Sequence, residues 1–218
     1  YSGAAEYPEP PDVDPALTGA TANEKLELLY SLEKAALGAD ERIERLGYCN
    51  LITREYETKI VNSLGLDLSQ RSGFAVAYAM PVATINGVTK EGMGSMIGRN
   101  LSEIDVTTTA EEAAQDLFSQ FGAITPASGV YGTVFRREAI SALLEVFSDM
   151  FSAEEAQKGR SLLMGKEGEA IASDLIDIVD DPMLESGLIR RAFDDEGVPA
   201  RRTSVVEKGV LVSLLHNI

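Results

Sequence analysis

The sequence predicts an α+β protein: an antiparallel sheet flanked by helices in the N-terminal part, then a second α+β domain of helices and a β-hairpin that reads as truncated. Three observations carry this. Between residues 41 and 99 apolar residues alternate with a period near 2, the strand period. Helical spacing brackets that stretch on both sides. Past a turn-rich segment, Pro126–Gly132, helical spacing returns and a second strand-like alternation follows. The expected domains are a connector over residues 1–20, an N-terminal α+β domain over 21–125, and the start of a C-terminal domain over 126–218.

Residues 1–20 hold four of the eight prolines, with acidic and small residues between them, and read as an extended connector outside the core. Thr21-Ala-Asn-Glu24 matches the S/T-x-x-E capping box. It opens a helix to Leu37, with Leu26, Leu29, Tyr30, Glu33 and Leu37 along one side and Gly38 as its stop. Ile43–Thr53 and Tyr56–Ser63 read as two strands. Phe74, Val76, Tyr78 and Met80 alternate with small residues, and Asn86-Gly87 is a hairpin signal because a type I′ turn needs positive φ at both central residues. Its arms are expected at Ser72–Ile85 and Val88–Gly98, for a sheet of about four strands.

Thr109-Ala-Glu-Glu112 is a second capping-box match; Ala110, Ala113, Ala114, Leu117, Phe118 and Phe121 supply its stripe, and Gly122 ends it. A short strand is expected over Val130–Phe135. Next comes the best helical pattern of the chain, with Ile140, Leu143, Leu144, Phe147, Met150 and Phe151 at core spacing. Ser152-Ala-Glu-Glu155 caps a further helix to Met164, residues 173–180 read as a strand ending before Pro182, and Thr203–Glu207 with Val210–Leu215 form a last hairpin joined at Lys208-Gly209. The chain opens on Tyr, and Leu211–Ile218 has the pattern of a half-buried strand, so an internal piece of a longer protein is expected.

Nineteen Lys and Arg against thirty-five Asp and Glu give a net charge of −16. Phosphate backbones and anionic membranes are bound through basic residues, so neither nucleic acid nor a membrane surface is an expected partner. No apolar run approaches the ~18 residues of a membrane span. Cys49, the one cysteine, excludes an internal disulfide and reads as a small buried hydrophobe. His216, the one histidine, excludes any site needing two from the same chain. A reducing, cytoplasmic setting is expected. Gly92-Met-Gly94-Ser-Met-Ile-Gly98 has the look of a phosphate loop but lies inside a hairpin arm, so a bulged strand is the better reading. Asp177, Asp180 and Asp181 lack the calcium-loop pattern and read as a solvated turn. Arg190, Arg191, Arg201 and Arg202 bracket Phe193-Asp-Asp-Glu-Gly-Val-Pro199; they read either as surface ion pairs or as a clamp for a carboxylate or a peptide backbone.

Ile176-Asp-Ile-Val-Asp-Asp-Pro182, Ala192-Phe-Asp-Asp-Glu-Gly-Val-Pro199, Arg202-Thr203 and Val206-Glu-Lys-Gly-Val-Leu211 together resemble the TldD/PmbA family, whose members are often labelled "modulator of DNA gyrase". Upstream, Pro126-Ala-Ser-Gly129-Val-Tyr131-Gly-Thr-Val134 leading into an amphipathic helix agrees with the same pattern. In the TldD branch that helix carries H-E-x-x-x-H, which holds zinc and supplies a catalytic Glu. In the PmbA (TldE) branch the histidines are missing and the protein partners a TldD-like subunit. Here Glu138 matches the Glu, while Arg137 and Ala142 replace the two histidines. The resemblance therefore implies a subunit with no catalytic residue, a vestigial Glu138, and no cofactor of its own. Zinc is expected on a TldD-like partner in a heterodimer, or a homodimer forms instead. The implied substrates are peptides, including leader peptides of microcin-type precursors, an antitoxin and unfolded chains. Phe193, Asp194, Asp195, Glu196, Gly197, Arg201 and Arg202 are the expected surface toward partner or peptide. Two alternatives stand beside this: a self-sufficient metallopeptidase with ligands outside the segment, and a protein-level modulator of gyrase that does not touch DNA.

Overall fold

The computed structural model describes residues 1–4 and 6–217. Helix α1, Pro15–Thr18, is capped by Asp14, whose carboxylate accepts from the Ala16 amide. Leu17 and Val13 are buried against Ala75. The end of the expected connector is therefore core, because Asp14-Pro15 starts a turn of helix that carries Leu17 onto the sheet. Helix α2, Ala22–Gly38, begins at Thr21 with the capping box complete in both directions.

Strand β1, Arg45–Val61, is one strand where the alternation suggested two. The apparent break at Arg54-Glu55 is only polarity: on an edge strand both side chains reach water without interrupting the ladder. β1 pairs antiparallel with β2, Asp67–Ile85, in an unbroken register from Tyr48↔Met80 to Val61↔Asp67. Asn62 closes the turn between them, its side-chain carbonyl accepting from the amides of Leu64 and Leu66. β2 continues through Asn86 (φ 52°) and Gly87 (φ 78°) into β3, Val88–Glu91. The returning arm then breaks at Gly92-Met93 and resumes as β4, Gly94–Gly98, in the same register. The result is a four-stranded sheet.

Helix α3, Val106–Ser119, starts three residues before the expected capping box. Asp105 is the cap, accepting from Thr107 and Thr108. Thr109 lies inside the helix, buried, and donates to the Asp105 carbonyl at 2.7 Å. α2 and α3 cover one sheet face, where Ala77 and Ala79 meet Leu32, Ala36 and Ala110, and Leu117 packs beside Ile43 and Ala83.

Beyond residue 120 the chain is less regular. Val130–Phe135 is exposed coil, not a strand. Helix α4, Arg137–Phe147, passes into a 3₁₀ turn, Ser148–Phe151. Ser152 caps α5, Ala153–Gln157, which ends well before Met164 because Gly159 (φ 69°) reverses the chain. β5, Ile178–Asp180, is shorter than the expected 173–180 strand. It pairs with β6, Thr203–Glu207, which turns at Lys208-Gly209 into β7, Val210–Leu211. The second hairpin arm stops at Leu211 because Val212 turns back to donate to Val205, while Leu215 bridges to Ser152. Ile218, the end of the expected last strand, lies outside the described residues. A second core gathers Ala153, Ala156, Leu163, Val205, Val206, Leu211 and Leu214. Among the described residues no helix is long and apolar enough to cross a membrane.

Candidate functional site

Arg137 opens α4 and Arg136 is its N-cap, without a side-chain capping bond. An α-helix N-terminus favours acidic groups, so two arginines there need carboxylate partners. They have them. Arg137 Nη2 meets Glu112 Oε1 on α3 at 2.6 Å, and its Nε meets Glu138 Oε1 at 2.5 Å. Arg136 reaches Asp116 at 3.4 Å and Glu138 at 3.5 Å. The neighbouring Arg137 guanidinium holds the Glu138 carboxyl below its ordinary range. Glu112 and Asp116 carried no signal in the local pattern around α4, because they approach it across the fold from α3.

These residues do not fit a zinc ion. A guanidinium has five donors and no lone pair to offer, and Ala142 has no ligand atom. Both oxygens of Glu138 are already engaged by arginines. His216 lines a cleft with Ser148, Asp149 and Ser152 at the opposite end of α4, so it does not substitute. Among the described residues no three His, Cys, Asp or Glu side chains converge as a metal set.

α4 also presents an apolar face to solvent. Ile140, Leu143, Leu144 and Phe147 are each 40–51% exposed, whereas core spacing had placed them inside; only Met150 and Phe151 pack against the second core.

The expected contact surface divides. Phe193 is 4% exposed, and Gly197 is buried with its α-carbon against Leu66. Asp194 is exposed, and its Oδ1 turns back on its own loop to accept from the amides of Glu196 and Val198, both at 2.9 Å. Phe193 and Gly197 are taken inside, while Asp194 closes the loop and stays exposed. Tyr7 donates to the Gly197 carbonyl at 2.9 Å, and Gln70 accepts from the Ala192 amide at 2.7 Å, so the loop is moored to β2 and to the N-terminal strap. Asp195, Glu196, Arg201 and Arg202 are exposed. Arg202 lies 3.7 Å from Asp181, and Arg191 lies 3.9 Å from Asp195. An open cleft of about 930 Å³ has Arg191, Arg201, Phe193, Pro199 and His216 in its lining.

The other sequence features have structural work. Asp177 accepts from the Lys208 amide at 2.7 Å and fixes the hairpin turn, and Asp181 accepts from Met183. Partial burial, then the neighbouring Asp181, raises the Asp180 pKa. The glycines of the 92–98 segment are packing glycines: a Cβ on Gly94 would stand 2.2 Å from the Thr109 carbonyl oxygen and 2.6 Å from the Ala113 nitrogen. Cys49 is half-buried with its pKa pushed up by burial and then by Glu33.

Comparison with known proteins agrees with this architecture. The crystal structure of a proposed modulator of a DNA gyrase from Thermotoga maritima superimposes with a TM-score of 0.91 at 30% identity, covering 100% of this chain and 50% of that one. TldE from Thermococcus kodakarensis gives 0.77 at 25% identity, covering 98% and 48%. A metalloprotease of Archaeoglobus fulgidus is 28% identical over 196 residues, 89% of this chain and 45% of the relative. The chain thus spans about half the length of these relatives. Two family models match: the PmbA/TldA metallopeptidase central domain over residues 15–120 and the PmbA/TldA metallopeptidase C-terminal domain over residues 128–218. This chain belongs to the TldD/PmbA family.

Proposed function

We propose that this chain is a zinc-less, PmbA/TldE-like subunit that works with a zinc-bearing, TldD-like relative in processing or degrading peptides in the cytoplasm. The observation that carries the reading is Arg137, locked between Glu112 and Glu138 where the family motif has its first histidine. Zinc hydrolysis needs ligands that leave one position open for water, and the ion brings the pKa of that water to about 7. Arg137 and Ala142 supply no ligand, so Glu138 has no metal-bound water to deprotonate. What it does instead is hold Arg136 and Arg137 at the start of α4. The exposed Arg201, lining a cleft of mixed polar and apolar side chains, and the exposed Arg202 next to it support a role in meeting partner or peptide.

Zinc content per chain after purification without added metal, with peptidase activity on an unstructured peptide, tests this. The expected result is far less than one zinc per chain and no turnover by the protein alone. About one zinc per chain, with hydrolysis lost on chelation, overturns it. That outcome would establish the second reading, a self-sufficient metallopeptidase with ligands elsewhere, which the metalloprotease name of the Archaeoglobus relative favours.

A further inference from the structure

Residues 192–200 fold back on themselves as a small hairpin. The Asp194 amide donates to the Val198 carbonyl at 3.0 Å, Phe193 and Pro199 are antiparallel partners, and the Ala200 amide donates to the Ala192 carbonyl at 2.9 Å. One step further along this register sets Arg191 opposite Arg201. Hydrogen-bonded and non-hydrogen-bonded pairs alternate in an antiparallel ladder. Arg191 and Arg201 therefore fall, like Phe193 and Pro199, on the non-hydrogen-bonded kind, where side chains stand closest. The strand period of 2 decides which way they point. Ile189, Arg191 and Phe193 from one arm, with Pro199, Arg201 and Thr203 from the other, line the cleft of about 930 Å³, and Arg190 and Arg202 do not. Arg190 donates instead to the Leu184 and Glu185 carbonyls, and Arg202 turns toward Asp181.

Like charges directly opposite each other on paired strands are destabilising, and the chain does little to relieve this pair. Arg191 has Asp195 at 3.9 Å, on a side chain 95% exposed. Arg201 has no ion pair or hydrogen bond among the described residues. Asp180 and Asp194 share the lining, yet neither forms an ion pair with Arg191 or Arg201, and Asp194 commits its Oδ1 to its own turn. We propose that Arg191 and Arg201 form a two-guanidinium clamp for a carboxylate of a bound peptide, with the residue beside that carboxylate lying on Phe193 and Pro199. This deepens the peptide-handling role proposed above and rests on it. A carboxylate between two guanidinium groups balances their charge, and the planar forks of guanidinium and carboxylate match in geometry. Phe193, 4% exposed, and Pro199 give the clamp an apolar flank. A cleft of this size takes a ligand much larger than a lone carboxylate. The carboxylate comes from the C-terminus of the peptide or from an Asp or Glu side chain, and the chemistry at the clamp is the same for both.

Calorimetric titration of the purified chain with a short, N-acetylated, otherwise uncharged peptide ending in leucine tests this. The peptide is supplied as the free acid, as the C-terminal amide, and as the amide with one internal glutamate. The free acid is expected to bind at least about tenfold more tightly than the plain amide. A glutamate peptide that matches the free acid shows that the clamp takes side-chain carboxylates as well; one that matches the plain amide assigns the clamp to the terminal carboxylate alone. Arg191→Ala and Arg201→Ala each weaken binding of the free acid about tenfold, and neither lowers the thermal midpoint, because each relieves a like-charge pair. Arg201→Lys keeps the charge, loses the fork and restores only part of the affinity. Arg54→Ala, at an exposed arginine of β1 outside the cleft, leaves binding unchanged. Equal binding of free acid and plain amide overturns the clamp while peptide binding stands, and so does wild-type affinity in Arg201→Ala. No binding of any of the three peptides up to about 1 mM overturns the clamp and the peptide-handling role together. The titration needs neither metal nor turnover, so its failure leaves the absence of zinc from this chain untouched, and about one zinc per chain would leave the clamp standing.

Discussion

Helices α3 and α4 were read from the same kind of pattern, and they end in opposite circumstances. α3 buries Thr109, Ala110, Ala113, Ala114 and Leu117. α4, whose apolar stripe is at least as regular in sequence, buries none of its residues. The difference lies in what faces them. α3 sits on Gly92, Gly94, Ala77 and Ala79, small residues that let helix and strand backbones approach closely. α4 is held to the rest of the chain through the exposed ion pairs of its first turn. Amphipathic spacing reports that a segment will be helical with one face averse to water; it says nothing about whether the partner for that face is within the same stretch of chain.

The sharpest way to break the comparison is a matched truncation. Leu117 on α3 is fully buried, so Leu117→Ala should cost about 3 kcal/mol, the lost transfer energy plus the cavity, measured as a shift in the urea midpoint. A cost under about 1 kcal/mol would mean that the α3 core is looser than its burial indicates. Next comes Gly94→Ala. Its Cβ would overlap the α3 backbone at Thr109 and Ala113, and backbone yields less readily than a side-chain tip. About 2 kcal/mol of destabilisation is expected, with α3 amides exchanging faster. An Ala at Gly94 tolerated without cost would refute the packing role of the 92–98 glycines.

Asp194→Ala ranks third. It removes both side-chain bonds that close the Asp194–Val198 turn and should cost about 1 kcal/mol. Asp195→Ala, at a side chain 95% exposed, should cost almost nothing. Equal effects at the two positions would show that the two Asp194 bonds do not hold this turn.

The legible and illegible parts of this molecule divide along the same line. The capping box at Thr21, the type I′ turn at Asn86-Gly87 and the alternation in β2 are local chemistry, complete within a few residues, and each stands where the pattern placed it. The second capping box failed because Asp105, four residues upstream of Thr109, offers a better cap, and both satisfy the same composition rule. The β1 break failed because polarity in an edge strand imitates a turn. At the candidate site, the identities of Arg137, Glu138 and Ala142 are read directly from the sequence. The bonds to Glu112 and Asp116 are not, since they join residues 25 and 20 positions apart. The inward turn of Phe193 was equally hidden: the mooring of its loop to Gln70 spans 122 positions.

The start of α4 supplies a pH test. Glu138 is held ionised below its ordinary carboxyl range by Arg137, so its contribution is fully present above the unfolded value of 4.5 and is lost as pH falls through the lowered value. Protection of the first-turn amides of α4, corrected for intrinsic exchange, should therefore fall below about pH 4 while that of α3 persists. Arg137→Ala should produce the same loss at neutral pH. Protection that is insensitive to both changes would show that something other than these ion pairs holds α4.

Leu144→Ala completes the pair begun with Leu117. Leu144 is 46% exposed and belongs to none of the buried clusters, so truncation leaves little cavity and removes little buried area. Within this chain the change in stability should lie within about 0.5 kcal/mol of zero, the ordinary range for surface positions. The informative outcome is a large cost. A loss of 2 kcal/mol or more would mean that the α4 face is covered in solution, because only a buried leucine costs that much to truncate. Repeating the measurement over a range of protein concentrations then separates the two ways of covering it. A cost that grows with concentration comes from association through α4. A cost that does not change with concentration means that the helix is packed within the chain itself.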